Sequence, residues 1–486
     1  MMMRRLLSAG FLLPLGALLL VLGAKLALVD AMGSDLPVGE QWTVEGSTLF
    51  QVKLHRGHIP LEHFLFPSGE HRPAMTRFWA YALYVADGGQ WDCRVQAVAN
   101  LVFHAATFLV LWFAAGAFAA GGWRAALRGF TVVLCSLPAN HENFTWGFQS
   151  QFLLCILCGL VHILGTAQAG KPDGRWALAQ LAGLVGILSL ASGLLSAAAL
   201  AGLVVVQWIR GRRDTWCWAT LLANGVLLAF GAWFAVKITS ASNHAHSAGD
   251  FLRAFSVLLT WPVPGGWGLL CQVPFLVAGV HALRQPAGPG PAARFLGLAA
   301  WFWLLLAALA YGRGGEAMSI AVRYFDMLVL GSWLNVAAVL WLWRERAGGS
   351  RAIWVAAGLA VCLLPMLGWL AYWNRPAGIR STVESVGLVA RLRDDVVRDF
   401  LKTNDPAVFK RYDWLDSRFP HLPYTIELLR DPLMRPALPP SLQSDGRAGW
   451  LSRLALWLTQ QWRWWLAAGG GLLALGGWRR RTPAGT

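Results

Sequence analysis

Charge is scarce in this chain. Of 486 residues only 14% are Asp, Glu, Lys or Arg, and 56% are hydrophobic. A soluble protein carries about 25% charge, so an ordinary soluble globular fold is excluded. Acid is the scarcer sign, with 25 Asp and Glu against 41 Lys and Arg. The basic excess does not point to nucleic acid, because it sits in short clusters between apolar runs. These are Arg4-Arg5, Arg124/Arg128, Lys171/Arg175, Arg210/Arg212/Arg213, Arg284/Arg294, Arg344/Arg346/Arg351 and Arg479-Arg480-Arg481. That placement is the positive-inside pattern, which reports topology and attraction to anionic lipid. Cysteine is also sparse. None of the seven falls in the two large polar segments, 30–74 and 374–449, so no disulfide framework is indicated there. Cys155-x-x-Cys158 lies inside an apolar run and reads as two small apolar residues. No internal repeat or low-complexity tract is present.

Long apolar runs are abundant. Runs of roughly 17 to 25 residues, enough to cross a hydrocarbon core of roughly 30 Å, recur from end to end. They predict an all-α polytopic membrane protein of about twelve spans, near 6–29, 92–118, 123–138, 147–167, 176–190, 192–209, 215–238, 264–283, 295–312, 320–343, 352–372 and 453–478. Threaded alternately, these put every basic cluster on the cytoplasmic side, with both termini. Segments 176–190 and 192–209 are short and joined by Ala191-Ser192-Gly193; one broken helix is the alternative there. The first run holds Lys25 and is followed by no convincing small-x-small cleavage site, so it is expected to be retained. The chain divides into a bundle over 1–372 with a large first outer loop at 30–74, a small outer segment over 373–452, and a last span with a basic tail over 453–486. Thr76–Ala86 is apolar but too short to span and reads as an interfacial helix. Within the outer segment, Val383, Val386, Val389, Leu392, Val396 and Val397 recur at helical spacing, predicting a helix over Ser381–Leu401. Its 12 basic and 10 acidic residues mark it as water-exposed. It is too small for a core of its own.

Chemistry concentrates in the first outer loop. After Asp30 it carries five acids (Asp35, Glu40, Glu45, Glu62 and Glu70), three permanent cations (Lys53, Arg56 and Arg72) and four histidines (His55, His58, His63 and His71). A carboxylate partly desolvated beside Trp42 has its pKa raised and is suited to take a proton from a hydroxyl; solvation of the loop and pairing with Arg56 or Arg72 is the bland alternative. His55-x-x-His58 and His244/His246 fit metal spacing only loosely, without a compact carboxylate set. No metal is therefore assigned, and a divalent ion is neither excluded nor required. Arg313, Arg323 and Asp326 stand at the outer end of the tenth span, where ionised groups are costly and tend to be functional. Arginine there can hold a phosphate bidentately; an Arg323–Asp326 pair one turn apart is the alternative. Glu142, Trp146, Gln149 and Gln151, opening the fourth span, form a candidate wall facing the same compartment.

Together these residues resemble a set of bacterial multispan proteins similar to the GT-C superfamily of membrane glycosyltransferases. In that set the first outer loop commonly reads Asp-Gln-Trp-Asp-Ala-Glu, followed by Asn-Glu-His-Arg. This chain has Glu40-Gln41-Trp42-Thr43-Val44-Glu45 and Gly69-Glu70-His71-Arg72. Further matches are Trp91-Asp92 with Gln96 and Asn100, Glu142-Asn143 with Trp146-Gly-Phe-Gln149-Ser-Gln151-Phe152, and Arg323-Tyr324 with Asp326. They span roughly residues 30–330; the last third shows none.

The resemblance implies a GT-C-like bundle in a bacterial inner membrane. It implies transfer of a sugar from a polyprenyl-phosphate carrier to a glycan, lipid or protein acceptor at the outer face. Glu40 would be the catalytic acid of the loop, and Arg72, Arg313 or Arg323 would hold the carrier phosphate. Glu45, Glu70, His71, Trp146, Gln149, Gln151 and Asp326 would shape the substrate site. Glu40 stands where the pattern has aspartate, and Thr43 where it has a second one. The longer side chain moves the carboxylate by about one C–C bond, and a displacement near 1 Å can cost about 10²-fold in rate. A non-catalytic protein that binds or transports a lipid-linked glycan is the alternative.

Overall fold

The computed structural model describes residues 8–236, 243–262, 266–315, 321–345, 358, 379–412, 419, 421–443 and 447–481. Among these the chain is helical and contains no strand; one isolated bridge joins Ser68 to His71. The principal helices are α1 (Ala9–Met32), α2 (Ala74–Ala86), α3 (Cys93–Phe118), α4 (Gly121–Ser136), α5 (Ser150–Gln168), α6 (Gly174–Ser189), α7 (Leu194–Ile209), α8 (Thr215–Phe234), α9 (Ala248–Thr260), α10 (Val273–Arg284), α11 (Pro291–Arg313), α12 (Phe325–Glu345), α13 (Ile379–Thr403), α14 (Leu422–Arg430), α15 (Trp450–Gln460) and α16 (Trp462–Arg481). Their starts follow local chemistry. The Asp92 carboxylate accepts from the backbone of Arg94 and Val95 and caps α3; Asp173 and Asp214 cap α6 and α8 in the same way.

Seven helices among the described residues are long and apolar enough to cross a membrane. They are α1, α3, α8 and α11, with Gly147–Gln168, Ala191–Ile209 and Val322–Glu345, which include α5, α7 and α12. The expected spans 123–138 and 176–190 appear as α4 and α6, each of 16 residues. At 1.5 Å per residue each covers about 24 Å, short of a hydrocarbon core of roughly 30 Å. Between α6 and α7 the chain is two helices and not one. Leu190 is extended, a 3₁₀ turn follows at Ala191–Gly193, and Gly193 lies against the Gly186 carbonyl. The run at 264–283 is divided into Gly266–Cys271 and α10. The expected span 352–372 lies outside the described residues except for Gly358.

The last run, expected as one span over 453–478, breaks at Gln461 into α15 and α16. Helix α16 lies antiparallel along α1, with Gly16 against Gly469, Gly23 against Leu466 and Gly476 against Leu13. Small residues let two helix backbones approach, which supplies packing that lipid itself cannot drive. The bundle core gathers Phe118, Leu160, Phe295, Trp301, Trp333 and Trp341 from α3, α5, α11 and α12.

A second apolar core lies apart from the bundle. The first loop contributes Trp42 and Phe50, α2 contributes Tyr84 and the stretch before α3 Trp91; the C-terminal segment contributes Val396, Val397, Phe400, Phe409, Leu428 and Met434. The Trp42 and Trp91 rings meet edge-on at 5.6 Å. Polar stitches join the halves: Trp91 N–H to Ala437 O at 2.7 Å, Ser34 Oγ to Asp394 at 2.7 Å, and Ser441 Oγ to Asp35 at 2.9 Å. The helix expected over Ser381–Leu401 is α13, and the segment shares its core with the first loop instead of forming a separate unit. Residues about 350 apart in sequence thus build one cap, and the short Thr76–Ala86 stretch is α2 at its base.

Candidate functional site

Glu70 and His71 project from a tight turn. Ser68 N–H donates to His71 O at 2.7 Å and His71 N–H to Ser68 O at 3.1 Å. Gly69 inside the turn has φ +54°, a region where a Cβ is strained. The turn carries Glu70 to 3.6 Å from the Arg313 guanidinium at the end of α11, and to 3.9 Å from His244. Arg313 Nε donates to the Tyr324 hydroxyl at 3.0 Å. Just beyond, Arg323 lies over the Tyr324 ring and 3.9 Å from Glu142. Four residues named from sequence, Glu70, His71, Arg313 and Arg323, therefore converge. The ion pairs of Arg313 with Glu70 and of Arg323 with Glu142 are longer than hydrogen bonds. Burial holds His71 below the usual histidine pKa; Glu70 opposes this, while Arg313 and Arg323 reinforce it. His71 is thus neutral at pH 7, and its buried Nδ1 has no hydrogen-bond partner among the described residues.

The wall residues lie beside this cluster. Gln149 and Gln151 are buried, and the side-chain oxygen of each has no hydrogen-bond partner among the described residues. Ser150 between them bonds Thr76, and Phe152 touches Tyr324 edge-on at 5.7 Å. Trp146 and Glu142 line a crevice of about 200 Å³ with Met32, Val38, Val389 and Arg393, so the N-terminal half of α13 forms its roof. Arg72 is otherwise engaged: Nη1 donates to Leu65 O at 3.0 Å, and the guanidinium lies over Phe234. It secures the loop.

The two loop acids, Glu40 and Glu45, have opposite fates. Glu40 is exposed, and its carboxylate makes no hydrogen bond or ion pair among the described residues. Glu45 sits on ten residues of π-helix, Trp42–Gln51, and is fully buried. Its Oε2 accepts from Gln96 at 2.8 Å, Trp91 at 3.0 Å and Gln41 at 3.3 Å, while Oε1 has no partner among the described residues. Desolvation pushes its pKa up to about 6 against these hydrogen bonds and the nearby charge of Arg77. Gln41 also bonds the Gln96 oxygen at 2.8 Å, and Asn100 bonds Gly147 O at 2.8 Å. A Cβ on Gly147 would lie 2.0 Å from Gln96 Oε1. Gln41, Glu45, Trp91, Gln96, Asn100 and Gly147, all within the stretches that carry the family resemblance, thus form one buried joint between loop, α3 and the start of α5.

Asp326 does not pair with Arg323. It accepts from Asn143 at 2.7 Å and from Asn140, and Asn140 accepts from Lys25 at 2.7 Å. Lys25 is wholly buried and also reaches Leu137 O at 2.5 Å. A lysine inside an apolar run is the sequence signal for this network, since such a charge needs a partner at membrane depth; sequence reasoning named Lys25, His244 and Tyr324 but not in these contacts, and did not name Arg77. Among the described residues no three His, Cys, Asp or Glu side chains group closely enough to hold a metal. His55 instead meets Asp431 at 2.6 Å, and Cys155 and Cys158 are buried free thiols.

Fold and site define a helical protein with helices long and apolar enough to cross a membrane and a charged cluster where two of them end. Comparison with protein-family models, curated proteins and solved structures returned no match.

Proposed function

We propose that this chain is a GT-C-like glycosyltransferase of about twelve spans in a bacterial inner membrane, with both termini cytoplasmic. It moves a sugar from a polyprenyl-phosphate carrier to an envelope glycan, lipid or protein acceptor on the outer face. The observation that carries this reading is the meeting of Arg313 and Arg323 with Glu70 and Glu142 at the ends of α11 and α12. A lipid-borne phosphate has its chain in the bilayer and its charge at that level, where guanidinium groups bind it bidentately.

In the transfer, an acceptor hydroxyl gives its proton to a carboxylate as its oxygen bonds the sugar C1. The C1–O bond to phosphate breaks, and the phosphate leaves with the electron pair, stabilised by the arginines. Glu40 is the exposed loop acid for the proton; Glu142, in the crevice wall, is the carboxylate nearest Arg323. Neutral His71 and the open oxygens of Gln149 and Gln151 supply polar contacts for sugar hydroxyls.

The test is carbohydrate analysis of the cell envelope in a deletion strain complemented with variants. Loss of a glycan on deletion, unrestored by Glu40→Gln at normal protein level, supports transfer with Glu40 as base. An unchanged glycan on deletion refutes the transferase reading. The second reading, carrier binding without chemistry, draws on the exposure of Glu40 and on its carboxylate having no hydrogen-bond or ion-pair partner among the described residues. It predicts restoration by Glu40→Gln and none by Arg323→Ala.

A further inference from the structure

Apart from the crevice beside Glu142, the cap carries an open cleft of about 880 Å³, at the upper end of ligand-pocket sizes. Its lining includes Arg398 and Lys402 from the C-terminal half of α13, Arg435 from the turn after α14, and Arg447 just before α15. Asp87 is its carboxylate, and that group is already committed: Oδ1 accepts from Leu451 N–H and Oδ2 from Ser452 Oγ, each at 2.7 Å. Arg398 also touches Asp395 at 2.6 Å. Arg447 is itself engaged, so Lys402 and Arg435 carry the positive charge that the cleft presents among the described residues.

We infer that this cleft binds a glycan bearing several anionic groups. Arg398 and Lys402 stand one helical turn apart, roughly 6 Å, and Arg435 and Arg447 arrive from other segments. Charges spread in this way suit a repeated anion better than a single phosphate. Gln90, Ser441 and Gln443 add polar groups to a wall that also holds Leu401, Leu438 and Leu442, a mixed surface that suits sugar rings and their hydroxyls. Helix α13 lines both cavities: Val389 is on the crevice and Leu401 on the cleft. Twelve helical residues separate them by roughly 18 Å, the reach of an oligosaccharide extending away from the crevice. Under the transferase reading the ligand is the acceptor, and this assignment rests on that reading; the binding itself does not.

The experiment uses the full chain in nanodiscs of zwitterionic lipid and a fluorescent oligogalacturonate. The expected result is salt-sensitive binding, with a neutral malto-oligosaccharide of equal length at least about tenfold weaker. The double variant Lys402→Gln/Arg435→Gln is expected to weaken binding about tenfold, since each exposed ion pair contributes up to about a factor of five. Both side chains are exposed, so the thermal midpoint stays unchanged, and Lys410→Gln, an exposed lysine outside the cleft lining, leaves binding intact. Equal binding of the neutral sugar, or tighter binding of oligoglutamate than of oligogalacturonate, overturns the proposal. So does full displacement of the probe by phosphatidylglycerol placed in the disc, or an unaffected double variant. Binding that persists when deletion leaves envelope glycan unchanged would separate a failed transferase reading from this one.

Discussion

Glu45 gives the sharpest test of how the first loop is built. Its carboxyl is fully buried and its pKa is pushed from 4.5 to about 6, chiefly by desolvation. Below pH 4.5 folded and unfolded states both hold the proton. Between 4.5 and 6 the folded state keeps it while the unfolded state releases it, so stability falls as pH rises through this window. Above pH 6 the whole cost is present, about 2 kcal/mol for a displacement near 1.5 pH units. Glu45→Gln removes the ionisation while keeping an oxygen for the donors of Trp91 and Gln96; its amide nitrogen takes the place of Oε1, which accepts no hydrogen bond among the described residues. Glu45→Ala instead orphans both donors, at about 1–3 kcal/mol each, and opens a cavity. The assay is thermal unfolding of purified protein by tryptophan fluorescence from pH 4.5 to 8, at one scan rate because unfolding of such proteins is commonly irreversible. Glu45→Gln should match wild type near pH 4.5 and exceed it by a few degrees at pH 7.5, while Glu45→Ala falls below both. A wild-type-minus-Gln difference that stays flat with pH, or a Gln variant as damaged as the Ala variant, would refute the assignment.

Three further outcomes follow from the same geometry. Lys25→Met leaves Asp326 buried without its cation and should cost about 3–5 kcal/mol; adding Asp326→Asn should recover at least half of the lost thermal midpoint. Gly147→Ala drives a Cβ into Gln96, and the repacking should cost about 1–3 kcal/mol, read as faster limited proteolysis of the loop. Arg323→Ala should leave thermal stability within about 1 kcal/mol, because its pair with Glu142 is long and partly exposed, yet abolish complementation of the envelope glycan at normal protein level.

Helices such as α1, α3 and α11 were legible because apolar residues run unbroken for the length of a bilayer, and α13 because its valines recur at helical spacing. The division of the last run at Gln461 was not legible: both sides are apolar, and only the packing of α16 along α1 separates them. Nor was the shared cap. Trp91 N–H meets Ala437 O across 346 residues, and neither strand of that contact carries a local signal. Glu40 and Glu45 look alike as carboxylates five residues apart. Which one is buried depends on the π-helix and on donors from Trp91 and Gln96, supplied by another element. Arg72 looked as suited to phosphate as Arg313, but the Leu65 carbonyl takes its guanidinium.

Family-like residues and chemically poised residues occupy neighbouring but different places. Gln41, Glu45, Trp91, Gln96, Asn100 and Gly147 are buried together and interlocked by hydrogen bonds. In the cluster Glu70 lies 3.6 Å from Arg313 and Glu142 3.9 Å from Arg323, distances longer than hydrogen bonds. The joint continues into Gly147-Phe148-Gln149: Gly147 seats on Gln96, and two residues on, the buried Gln149 oxygen has no hydrogen-bond partner among the described residues. A group that must be held within a fraction of an ångström needs such a support. Substitutions in the joint should therefore lower activity by displacing Gln149 and Glu142, with loss of stability in proportion, whereas substitutions in the cluster should lower activity alone. That separation, measured on the same set of variants, distinguishes residues that hold the site from residues that use it.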